Sequence, residues 1–80
     1  MILIDVLVPP LDRIFDFEID ENVEATYLIK NVMELIARKE KVQFDIENRQ
    51  MFLYRVGDFL KENMPLKDQG IINGDRVILV

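Results

Sequence analysis

A single amphipathic helix sits between two stretches that alternate like sheet, and that arrangement leaves few folds open. Leu28, Ile29, Val32, Met33, Leu35 and Ile36 follow the i, i+3, i+4, i+7 rule, while Lys30, Asn31, Glu34 and Arg38 take the opposite side. The spacing predicts a helix starting near Ala25 and ending between Lys39 and Lys41, with Asn22 or Thr26 as its cap. A Met-bearing stripe at this spacing reads as core rather than as a groove for a partner. It therefore needs a sheet to pack on.

The residues before the helix form that sheet's first half. Ile2 to Val8 is β-rich and apolar, interrupted only by Asp5. Pro9-Pro10-Leu11-Asp12 is a turn, because two prolines cannot continue a central strand. Arg13 to Ile19 then alternates, with Arg13, Phe15, Phe17 and Ile19 on one face and Ile14, Asp16 and Glu18 on a wet one. Two strands joined by a short turn make a hairpin.

After the helix, Val42 to Gln50 reads as an irregular connection carrying Phe44 and Ile46. Met51 to Val56 reads as a strand and Gly57-Asp58 as a turn. A very short strand begins at Phe59-Leu60, and Leu66 to Gln69 suits one helical turn within a loop. Asn73-Gly74 favours positive φ and a sharp turn, and Arg76 to Val80 is the last strand. The order β-β-α-β-β-β predicts an α+β fold, with one helix on one face of a mixed sheet and residues 1–80 as one domain. The first and last strands are both so apolar that they fit side by side, parallel, at the centre.

Composition narrows function by exclusion. A chain of 80 residues buries only about 60% of its unfolded surface, so its core must be efficient, and half of these residues are hydrophobic. With no cysteine and no histidine, a disulfide framework, a thiol nucleophile, a histidine base and a Cys/His zinc site are all excluded. The net charge of −5 disfavours nucleic acid as a partner. The densest cations, Arg38-Lys39-Glu40-Lys41, read as a solvated helix end complementing the helix dipole. Paired carboxylates such as Asp16/Glu18 and Asp20/Glu21 read as a wet strand face and a solvated turn, so no catalytic residue, cofactor site or metal site is assigned. No apolar run approaches the roughly 20 residues of a membrane span. The first eight residues lack the basic region and cleavage site of a signal peptide, so the expected location is the cytoplasm.

The element order and the closing residues resemble the β-grasp fold of ubiquitin, with a mixed sheet of four to five strands packed on one helix. Leu53, Leu60, Leu66, Ile71, Val77 and Leu79 fall where ubiquitin places buried aliphatics. Within that superfamily, the pattern Leu-x-Asp-x-Gly-Ile-x-Asn-Gly-Asp-Arg, from Leu66 to Arg76, resembles the closing motif of the YukD/EsaB family. These are small bacterial ubiquitin-like proteins associated with type VII (ESAT-6-like) secretion. The motif covers about the last fifth of the chain, and residues 42–50 depart from the match. Gly70 is read as a φ > 0 position, Asn73 and Gly74 as the turn, and Asp75 as a hydrogen-bonding residue within it.

Ubiquitin and the sulfur carriers end in a mobile Gly-Gly that an activating enzyme adenylates. Here no glycine follows Gly74, and Val80 still belongs to the strand by periodicity. The resemblance thus implies a non-catalytic, unconjugated interaction module of a type VII system. Its expected partners are a secretion ATPase, another secretion component or a second copy. The alternative is a carrier working with an adenylating enzyme. If Leu53, Val77 and Leu79 face the helix, then Phe52, Tyr54, Ile78 and Val80 face away and form the candidate partner-binding patch.

Overall fold

Two adjacent prolines stop the first strand, and the chain turns on them. In the computed structural model, which describes residues 1–43 and 49–80, β1 (Ile2–Val8) leads into a 3-10 turn at Pro9–Leu11. Asp12 closes that turn in the left-handed region, and β2 (Arg13–Ile19) returns antiparallel to β1. Helix α1 (Ala25–Glu40) crosses next, followed by β3 (Met51–Leu53), β4 (Asp58–Phe59), a 3-10 turn at Leu66–Gln69 and β5 (Arg76–Leu79). Of the expected Val42 to Gln50 connection, residues 44–48, with Phe44 and Ile46, lie outside the described residues.

The sheet order is β2-β1-β5-β3-β4. The first and last strands lie parallel at its centre, as their shared apolar character predicts, and every other pairing is antiparallel. The inner face carries Ile4, Val6, Val8, Phe15, Ile19, Met51, Leu53, Val77 and Leu79 against Leu28, Ile29, Val32, Met33 and Ile36 of the helix. Leu60, Leu66 and Ile71 close the core from the β4–β5 connection, so all six aliphatics matched to ubiquitin are buried.

Three local expectations change. The third strand stops at Leu53 instead of running to Val56: the Gly57 N–H donates to the Leu53 carbonyl at 2.9 Å and residues 54–57 turn back into β4. Gly57 has φ +78°, which closes the turn before the alternation of Tyr54-Arg55-Val56 can continue as sheet. Neither Asn22 nor Thr26 caps the helix, because Glu24 holds the cap position without a side-chain bond. The carbonyls of Met64 and Glu62 instead accept from the Ala25 and Thr26 N–H groups at 3.3 and 3.0 Å. Leu35, placed by spacing in the helix's apolar stripe, is 48% exposed at the lip between α1 and β2.

Candidate functional site

Alternation on paired strands decides what the sheet shows to solvent on its far side. Register aligns Ile14 of β2 with Leu7 of β1, Leu7 with Ile78 of β5, Ile78 with Phe52 of β3, and Phe52 with Phe59 of β4. One apolar row thus crosses all five strands on the face opposite the helix. Phe52 and Phe59 meet edge to face at 5.2 Å between ring centroids, a favoured aromatic geometry. Ile14 and Phe59 are exposed, and Leu7, Ile78 and Phe52 are half-buried by their neighbours.

Of the four patch residues read from the sequence, Phe52 and Ile78 are direct cross-strand partners at the middle of this row. Tyr54 lies one row to one side. It opens the turn rather than continuing a strand, yet its N–H still donates to the Arg76 carbonyl at 3.1 Å, and its side chain is 68% exposed. Val80 lies one row to the other side, tied to Gln50 by reciprocal backbone bonds of 2.9 and 3.0 Å. Sequence reasoning missed Leu7, Ile14 and Phe59. The hairpin register Leu7 to Ile14 was the available signal for the first two.

Beside the apolar row runs a charged one: Asp16, Asp5 and Arg76 align across β2, β1 and β5. Arg76 reaches Asp5 at 3.4 Å. A hydrogen bond to the Asp5 carboxylate, with its repulsion, pushes the Asp16 carboxyl above its ordinary value.

The closing motif is built as a clasp. Asp75 is buried and accepts from Arg55 Nε at 2.8 Å, from a second Arg55 nitrogen at 3.1 Å and from the Ile72 N–H at 2.9 Å. These bonds hold its carboxyl below the usual range against an opposing burial penalty. Gly70 (φ +78°) and Gly74 (φ +88°) take left-handed backbone. The Asn73 side chain accepts from the Leu3 N–H at 2.8 Å, and the Gly74 N–H donates to the Leu3 carbonyl at 2.7 Å, so the turn is stitched to β1. Gly70, Asn73, Gly74 and Asp75 therefore each have a structural task.

Solved structures share this architecture. The EccD5 ubiquitin-like domain from Mycobacterium xenopi superposes with a TM-score of 0.78 at 17% identity, over 99% of this chain and 91% of that one. Ubiquitin from Caldiarchaeum subterraneum gives 0.74 at 18% identity, over 98% and 89%. A ubiquitin-like domain from Arabidopsis thaliana gives 0.76 at 18%, over 99% and 74%. The fold is the ubiquitin-like β-grasp. No family model matches the chain, and no curated protein matches it at a significant level. Among the described residues of this β-grasp chain, no helix is long and apolar enough to cross a membrane.

Proposed function

We propose that residues 1–80 act as one non-catalytic protein-interaction module, a cytoplasmic accessory or regulatory component of a type VII secretion system. The Leu66–Arg76 motif supports the placement in the YukD/EsaB family. The observation that carries the interaction role is the apolar row across all five strands. The uncovered face of a sheet commonly carries polar residues, whereas contiguous apolar area marks contact surfaces. Phe52, Tyr54, Ile78 and Val80 form the docking patch, with the Phe52–Phe59 pair as its aromatic anchor. The partner is a secretion ATPase or another secretion component, engaged without conjugation of this chain.

The test is affinity capture from cytoplasm and membranes with wild type and a Tyr54→Asp, Ile78→Asp double variant. Wild type is expected to retain secretion components. The variant, folded by circular dichroism, is expected to lose them. Equal retention by both would remove the outer face from the reading. Capture of an adenylating enzyme in place of secretion components would favour the carrier alternative.

A further inference from the structure

β2 is an edge of the sheet. Among the described residues it pairs with β1 and with no other strand, which leaves one side of a seven-residue strand with its backbone N–H and C=O groups turned outward. Directly beside that edge lies a groove of about 370 Å³ between β2 and α1. Its walls include Phe17 and Val23, half-buried against the edge of the core, and Leu35, which is exposed. Glu18, Asp20 and Glu34 line it against the single cation Arg38, so the groove joins an apolar floor to an acidic rim. The opposite side of the same strand is acidic. Asp16 and Glu18 point to the outer face, and Asp5 on β1 stands directly across from Asp16.

These features also say what does not belong on the edge. Pairing two copies antiparallel about Asp16 sets that carboxylate against its own mate. Pairing about Phe17 sets Asp16 against Glu18, and pairing about Glu18 sets that carboxylate against its own mate. Like charges directly opposed across strands are destabilising, so these registers are guarded against a second copy of this chain. A segment of opposite character meets no such penalty.

We propose that β2 accepts an extended peptide from another protein as a sixth strand. Alternate residues of that peptide are apolar and enter the β2–α1 groove, and the residues between them are lysine or arginine and lie against Asp16 and Glu18. Main-chain hydrogen bonds supply the common part of the affinity, and the alternation supplies the specificity. The crowding of Asp16 by Asp5 is consistent with this chemistry, because an incoming cation relieves it. This surface is separate from the Phe52–Ile78 patch, and its test stands apart from that of the proposed function.

The probe is a capped synthetic octapeptide alternating isoleucine with lysine, titrated into the isotopically labelled chain and followed by amide resonances. Two control peptides carry glutamate in place of lysine, or methylated backbone nitrogens on the pairing side. The basic peptide is expected to saturate, with shifts confined to residues 13–19 and 31–38, and neither control is expected to bind. Leu35→Lys places a cation in the groove at an exposed position, and Glu18→Lys reverses the outer charge. Each is expected to weaken binding about tenfold, with an unchanged fold by circular dichroism. Any of several results would overturn the proposal: no saturable binding, equal binding of the glutamate or methylated peptide, or shifts mapping to Phe52 and Ile78. Concentration-dependent dimerisation through β2 would assign the edge to a second copy and overturn it equally.

Discussion

Asp75 is the buried charged side chain among the described residues, and both of its oxygens are used. A buried carboxylate is tolerated only when its hydrogen bonds are made. Because Arg55 and the Ile72 N–H favour the charged form, the folded-state pKa lies below the ordinary value of 3.8. The stabilisation is therefore fully present above that value and is lost as pH falls through the depressed folded pKa. Asp75→Ala should cost about 1–2 kcal/mol at neutral pH, the range for a charged hydrogen bond discounted for a half-exposed arginine partner. Urea denaturation of both proteins along a pH series checks this. A gap that stays constant down to the acid end would show that the bonds to Asp75 do not carry the effect. The turn role of Asp75 was legible from Asn73-Gly74-Asp75. Its partner was not, because Arg55 is twenty residues away in a segment whose alternation reads as strand.

At the scale of elements, legibility followed how local each determinant is. The bounds of α1 could be read because the apolar stripe starts and stops with the helix. Its cap could not, because the acceptors at Glu62 and Met64 come from a distant loop. That loop is itself fastened by Gln69, whose side chain accepts from the Lys61 N–H at 2.6 Å and donates to the Lys61 and Met64 carbonyls at 2.7 and 2.9 Å. Thr26 joins the two by donating its hydroxyl to the Glu62 carbonyl at 2.8 Å. Thr26→Val keeps shape and removes that bond, so it should destabilise by about 1 kcal/mol. Hydrogen exchange should also quicken at the first turn of α1. Unchanged exchange there would mean that the backbone contacts alone hold the helix start. The outer face divides in the same way. Phe52 and Ile78 follow from alternation along their own strands. Leu7 does not, because Ile2 to Val8 reads as one nearly continuous apolar run, in which alternation does not separate the helix face from the outer one.

Across the whole molecule, the charge of −5 is unevenly carried, and the sheet concentrates part of it where Asp5 and Asp16 face each other. Arg76 approaches Asp5 from the other side and leaves Asp16 with a hydrogen bond it keeps best when protonated. The linkage runs opposite to that of Asp75. A carboxyl raised above 3.8 contributes fully below that value, and its contribution is lost as pH rises through the folded pKa. Asp16→Asn retains a donor toward Asp5 and carries no charge at any pH. The variant should therefore match wild type at the acid end and become the more stable of the two as pH rises toward neutrality. Added salt should shrink the repulsive part of that difference, because the pair is exposed. Melting curves of both proteins across pH, at low and high ionic strength, read this directly. If wild type is the more stable at neutral pH, Asp16 is satisfied by something other than Asp5. The acidic edge that repels a second copy would then carry no strain for a basic strand to relieve.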